Sequence, residues 1–452
     1  SASSVSPAIR AAADLDDWLR RSASPRSPAT APVRGVLRAA AAAPALARAR
    51  DVRLALCAAL RDEWGLGAFL RTLRAFYLGG AGEFATSFAS AAFRRLEEDP
   101  RGAEGERWRD EAELTAALLE ARNAAEASEL ATLPSVDEIR SVTVLPKPKP
   151  RAGVRTTDAE LGRDADARPG ASRLEALSRV RARCATPWPL ALVVPESSHE
   201  RYGAACAFLL QLRRARAATE ATSTSGWSPA ARRLETRRVR VGGGGGGSTS
   251  SRGGSTSWGG STSRGGCSPG GGGEAQRRLA HELRHFVAAM HEHVASRVLH
   301  GATLELERGI AGAGSLRAMR EAHGAFLDAA CRQCLVSPDP TWTLLAGQVR
   351  AALGAACDLA AIRARAAVDL AAEDHGVLED RGEGVHAAAK EGYAAAPEEE
   401  AAAVATTFRR ARSYVLRVVE SKLKIGAAPE LAELRLRLDF NGFYGAKDPG
   451  EE

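Results

Sequence analysis

The chain has 452 residues, with 45 % hydrophobic and 26 % charged side chains, so it is long enough for two or more domains and apolar enough to fold around a core. A net charge of +7 is mild for this length, and no Lys/Arg block is interleaved with aromatics, which argues against nucleic acid and suits an acidic protein partner equally well. Cysteines stand at 57, 184, 206, 267, 331, 334 and 357, an odd and scattered set that argues against a disulfide framework and for a reducing compartment.

No run of about 18 apolar residues occurs, so no membrane span is expected. The first ten residues do not read as a secretory signal, and the missing initiator Met is expected of a fragment or a processed product. Residues 1–50 mix Ser, Pro, Ala and Arg and read as a partly disordered remnant with helical patches at 15–19 and 33–49. Residues 51–78 are predicted helical: Leu56, Leu60 and Trp64 make one apolar stripe, continued by Leu66, Leu70, Leu73 and Tyr77 beyond Gly65 and Gly67. Gly-Gly-Ala-Gly at 79–82 stops that helix, because glycine takes up the left-handed cap readily. A further helix follows through Phe84, Phe88 and Phe93, and another over 108–132 that Pro134 ends.

Residues 133–185 read as linker, including the extended Pro-Lys-Pro-Lys-Pro at 146–150. The apolar run 188–195 is either a strand or a buried segment entering a helix. Residues 199–218 are predicted helical, with Tyr202, Cys206, Leu209, Leu210 and Arg213 at helical spacing. The stretch 221–273 reads as a Gly/Ser-rich disordered insertion, with Gly-Gly-Ser-Thr-Ser repeated from 246, 253 and 259. Its Gly266-Cys267-Ser268-Pro269-Gly270 matches a nucleophile elbow only in letters, since an elbow needs a strand before it and a helix after it. Helices are then predicted at 274–300, 303–312, 315–335, 341–371, 384–395 and 398–425. The last carries Phe408, Val415, Val418, Val419 and Leu423 on one side. Arg409, Arg410, Arg412, Arg417, Lys422 and Lys424 stand on the other, against the single acid Glu420.

Two motifs invite chemistry. His281-Glu282-Leu283-Arg284-His285 spells the zinc-binding helix of many metalloproteases. On a helical wheel Leu279, Leu283, Phe286, Val287, Met290 and Val294 form the apolar stripe, while His281 and His285 share the opposite, solvated face. His291 is at a third-ligand distance but lacks the glycine break that would bring it round, and Glu305, Glu307 and Glu321 all lie at a plausible downstream distance for a glutamate ligand, so spacing alone selects none. Solvated histidines are the preferred reading, with a zinc protease using His281, Glu282 and His285 kept as the alternative. Cys331 and Cys334 lack a second Cys-x-x-Cys and read as buried structural thiols. Glu398, Glu399 and Glu400 read as complements to a helix N-terminus. No catalytic, cofactor or metal residues are assigned.

Six segments in order resemble one family, the gamma-tubulin complex components of the Spc97/Spc98 type. They are LRDEWGLGAFLRTLRAFYLGGAGEFATSFASAAFRRL at 60–96, WPLALVV at 188–194, RYGAACAFLLQLRRAR at 201–216, LRHFVAAMHEHVASRVLH at 283–300, LRAMREAHGAFLDAACRQCLV at 316–336 and LRLRLDFNGFY at 434–444. The SRVLH and FLLQL wording leans toward the fifth or sixth component class. The resemblance implies an all-α, non-enzymatic structural protein of helical bundles. Residues 51–132 would lie at the junction of the first and second Grip domains and 186–220 would begin the second. Residues 274–445 would supply its bundle, leaving a tail at 446–452.

In such a family the second Grip domain binds gamma-tubulin and the first contacts neighbouring components. The implied role is support of microtubule nucleation in the cytoplasm and cytoskeleton, at a microtubule-organising centre or spindle pole, without cofactor, nucleic acid or membrane span. Arg409, Arg410, Arg412, Arg417, Lys422 and Lys424 are the candidate gamma-tubulin-binding residues, because a cationic helix face complements an acidic surface. In LDFNGFY, Asp439 and Asn441 read as turn or cap residues, and Phe440, Phe443 and Tyr444 as core. A helical adaptor unrelated to tubulin is the third reading.

Overall fold

The computed structural model describes residues 42–80, 82–99, 105–125, 133–135, 138–146, 169–225, 271–374, 383–426, 428–442 and 444. The N-terminal remnant, most of the Pro-Lys run, the glycine tract with its Gly-x-Ser-x-Gly match, and the acidic tail lie outside them. The fold is all-α, a helical bundle accompanied, among the described residues, by one two-stranded sheet. Two compact units divide the chain. One is built from Ser1–Arg71, Thr186–Glu196 and Leu304–Phe326, the other from Thr72–Ala185, Ser197–Thr303 and Leu327–Glu452.

The first unit contains α1 (Ala43–Ala58) and a π-helical turn (Ala59–Glu63) that leads toward α2 (Leu66–Leu78). The π turn closes with Trp64 N–H donating five residues back to the Ala59 carbonyl at 3.0 Å. That wider turn adds a residue and rotates the chain beyond it. It corrects the expected stripe: Cys57 and Leu60 are buried, whereas Leu56 is exposed and Trp64 is 52 % exposed. Arg61 donates to the carbonyls of Ile310, Ala311 and Ala313 at 3.0–3.2 Å, filling acceptors that the end of α8 (Thr303–Gly312) leaves open. The run at 188–195 is a buried turn of 3-10 helix (Leu190–Leu192), not a strand, with Val193 and Val194 in the core.

In the second unit Gly79 takes φ +74° and ends α2, as its position after the apolar stripe predicts. α3 (Gly82–Glu98) buries Phe84, Phe88, Phe93 and Leu96 and packs on α4 (Glu111–Ala124), with Phe84 stacked on Phe76 of α2. Asp110 caps α4 by accepting from the N–H groups of Ala112 and Glu113 at 2.9 and 3.1 Å. The stretch expected to be linker instead holds an antiparallel pair, β1 (Ile139–Val144) and β2 (Val180–Cys184), with α5 (Pro169–Leu177) between them in sequence. These strands are too short to stand alone. β1 lies on α4, where the Val142 N–H donates to the Thr115 hydroxyl at 2.9 Å, and β2 lies on α6 (Ser198–Ser225).

The rest of this unit is a bundle of α6, α7 (Gly271–Val294), α10 (Pro340–Asp374), α11 (Glu383–Lys424) and α12 (Leu431–Leu438). α7 does not stop before Gly301 as expected. It widens into a π-helical segment, Ala295–Ala302, and runs on into α8. α9 (Leu316–Gln333) comes next. α10 is the central element, packed on α5, α6, α7 and α11. Its stretch Pro340–Val368 has the length and composition to cross a membrane, yet 67 % of its most apolar 18-residue window is buried inside the protein, which is how a core helix of a bundle reads. Asp358 on α10 caps α5 from outside by accepting from Gly170 N–H at 2.9 Å and Ala171 N–H at 3.1 Å. α11 runs unbroken across the expected break at 396–397, so Glu398–Glu400 stand on the exposed side of a helix interior rather than at a start; Glu400 pairs with Arg365 at 2.6 Å.

Candidate functional site

The second half of α11 sets the site. Phe408, Val415 and Val419 are buried and fix its inner face, with Phe408 edge-on to Phe286 of α7 at 5.8 Å between ring centroids. At about 100° per residue, Arg410, Arg417 and Lys424 then line up at seven-residue intervals on the opposite, exposed face, with exposed Arg409 to one side. None of these four makes an ion pair among the described residues. Lys422 is half-buried and lies about 40° round the helix from Phe408, on its inner side.

Arg412 leaves this set. It lies four residues after Phe408, hence only about 40° round the helix from it, and it is buried. It donates to Glu282 of α7 at 2.6 Å, and its guanidinium lies 3.8 Å from the centroid of the Tyr444 ring. A buried arginine holding both a carboxylate and an aromatic face is structural, and it joins α7, α11 and the Leu-Asp-Phe-Asn motif. Burial and the nearby Glu282 push the Tyr444 hydroxyl above the ordinary phenol range, outweighing Arg412.

That motif acts mainly as a clamp. Asp439 is buried; its carboxylate accepts from the Tyr444 N–H at 3.0 Å, and its own N–H donates to the Arg435 carbonyl. The turn-forming reading of Asp439 holds, and Tyr444 is half-buried against Arg412. Phe440 is a correction: it is 78 % exposed, because the backbone turns at Asp439, where φ is −154° and ψ 65°. Phe443 lies outside the described residues. α12 is tied down by Arg435 to Glu420 of α11 at 2.8 Å, by Arg297 to Glu433 at 2.5 Å and by Arg332 to Glu430 at 3.6 Å. Burial raises the Glu433 carboxyl, but Arg297 and Arg437 outweigh it and hold the group below the usual carboxylate range.

The His-Glu-x-x-His helix is α7, and its residues do not converge. His281 and His285 are exposed, while Glu282, which would be the base of a metalloprotease, is committed to Arg412. Among the described residues no group of three His, Cys, Asp or Glu side chains is arranged to hold a metal ion. The histidine of this helix that is fully inside is His293, which the motif does not include; its Nε2 meets Gln333 Oε1 at 2.8 Å, and burial pushes its pKa down to about 4. Cys331 and Cys334 are buried thiols, raised above the ordinary range first of all by burial. A further polar cluster went unread in the sequence: the Tyr77 hydroxyl accepts from the Cys184 N–H at 3.0 Å and lies 3.1 Å from His199 Nδ1. All three residues are buried, so the cluster ties β2 to α2 and α6.

The architecture is therefore that of a helical-bundle component whose polar interior serves packing and whose α11 presents cations on its exposed face. A family model described as gamma tubulin complex component C-terminal matches residues 66–444. The chain belongs to the gamma-tubulin complex component family. A search of the curated proteins gave no match.

Proposed function

We propose that this chain is a structural component that binds gamma-tubulin through the exposed face of α11 and holds it in a fixed orientation, so that neighbouring complexes add laterally and microtubules nucleate. The observation carrying the proposal is the family match over residues 66–444, which spans nearly all of the described bundle. Of the candidate cations, Arg409, Arg410, Arg417 and Lys424 form the exposed contact set, with half-buried Lys422 outside that face and Arg412 positioning the helix from within. Like charges kept apart on a rigid helix steer an acidic partner and raise its association rate more than its final affinity.

The proposal extends to the surroundings. The second unit would serve as the gamma-tubulin-binding Grip domain and other complex components would be neighbours. The protein would work in the cytoplasm, at a microtubule-organising centre or spindle pole, with no cofactor, nucleic acid or catalytic step. Co-purification of the full chain with gamma-tubulin tests this. Retention at low salt, and loss in an Arg410→Glu, Arg417→Glu, Lys424→Glu variant that melts like wild type, is the expected result. Soluble, folded wild-type chain that retains no gamma-tubulin at any salt rejects it.

A further inference from the structure

α12 is apolar on two sides. Leu431, Leu434 and Leu438 are buried in the bundle, where the helix packs on α7 and α11. Ala432 and Leu436 share the outer face, and Phe440 stands in the turn beyond the helix end; Leu436 is 62 % and Phe440 78 % exposed. A lone exposed leucine on a protein surface needs no explanation. Leu436 on a helix fixed by Arg435–Glu420, Arg297–Glu433 and Arg332–Glu430, and Phe440 in the turn that Asp439 holds just beyond it, together do need one. Side chains presented by so rigid a support lose little freedom when covered, and aromatic anchors of this kind dominate binding energy at interfaces.

The ion pairs also set the register with α11. Arg435 reaches Glu420, and Glu420 lies three residues after Arg417 and four before Lys424, so all three share one side of α11. That ion pair sets α12 alongside the side of α11 that carries Arg417 and Lys424. The acids at this seam are each paired: Glu420 with Arg435, Glu430 with Arg332, and Glu433 with Arg297 and Arg437. The outward charge left at the seam is positive.

We infer that the α11–α12 seam is a two-part docking surface for an acidic protein partner, with Leu436 and Phe440 as the apolar centre and Arg417 and Lys424 as the cationic rim. The inference rests on the gamma-tubulin reading and deepens it: the partner would present an apolar depression bordered by carboxylates, and the apolar centre rather than the cations would set the lifetime of the complex. The test uses the full chain and purified gamma-tubulin, with affinity measured against salt. A Leu436→Ser, Phe440→Ser variant should bind more than tenfold more weakly, keep its melting midpoint and keep the wild-type salt slope. Phe440→Leu, which retains apolar area, should stay within about threefold of wild type. Arg417→Glu with Lys424→Glu should bind weakly at low salt and flatten the slope. Amide exchange over 431–440 should slow on binding.

Wild-type chain that binds while the double-serine variant stays within twofold, or while exchange over 431–440 does not change, overturns the docking surface and leaves the gamma-tubulin reading standing. Wild-type chain that does not bind at all removes both.

Discussion

Arg412 and Glu282 meet at 2.6 Å with only 8 % and 16 % of their side chains exposed, so the one acid of the zinc-like motif holds the buried cation of the α11 series. Two readings that looked independent in the sequence, a protease helix and a cationic face, meet in a single ion pair between α7 and α11.

Breaking that pair from one side leaves a buried charge without its partner. Glu282→Ala or Arg412→Ala should each lower stability by about 3 kcal/mol, and the paired change Glu282→Leu with Arg412→Met should recover most of the loss. Urea midpoints of the four proteins check this. By contrast, His281→Ala and His285→Ala, at exposed positions, should stay within about 0.5 kcal/mol of wild type.

Phe286 and Phe408 contact edge to face with an interplanar angle of 87°. Phe286→Ala should cost about 3–5 kcal/mol, and Phe286→Asp should abolish the folded bundle. A double-mutant cycle with Phe408→Ala should return a coupling of about 1 kcal/mol. Additive losses would mean that the two rings fill the core independently.

His293 gives a signed pH dependence. Burial lowers its folded-state pKa to about 4, below the ordinary value of 6.5, so the unfolded chain binds the proton more readily between those limits. Its contribution is complete above pH 6.5 and is lost as the pH falls toward 4. The share is up to about 3 kcal/mol by linkage. His293→Gln should be less stable than wild type at pH 7 and should lose less on acidification. Denaturation of both proteins at several pH values measures the difference, which isolates this residue from the carboxylates that titrate nearby.

Gly170 has no room for a methyl group. A Cβ there would stand 2.5 Å from Asp358 Oδ1 and 2.6 Å from the Asp358 backbone nitrogen. Gly170→Ala should cost about 2–3 kcal/mol by forcing α5 away from α10. Asp358→Asn should cost less, since an amide oxygen still accepts from the two N–H groups. Thermal melts of the two variants should rank in that order.

What was legible in the sequence was whatever depended on one helix at a time. The stripe from Leu279 to Val294 fixed the inner face of α7, and the glycines at 79–82 marked the end of α2. Features that depend on two elements were hidden. Counting cations along 409–424 gave a face, but the angle from Phe408 already set Arg412 inside it; that angle was the available signal, and a buried arginine also needs a carboxylate on another helix to be recognised. β1 and β2 are short and are separated by α5, so their pairing rests on α4 and α6 rather than on their own alternation. The turn at Asp439 sends Phe440 outward although its composition suggests core. At 59–63 a single wide turn shifts the phase, so a stripe extrapolated through it predicts the wrong residues.

α12 has eight residues, too few for a helix to persist without neighbours. Its partners on α7 and the π segment are made far earlier in synthesis: Arg437 bonds Ser296, 141 positions upstream. At ribosomal speed that separation is on the order of ten seconds. Throughout this interval the apolar side of α7 that α12 will cover emerges into the cell unshielded. The short helix is thus the latch of a vectorial assembly, the element that closes this side of the bundle after its partners are made.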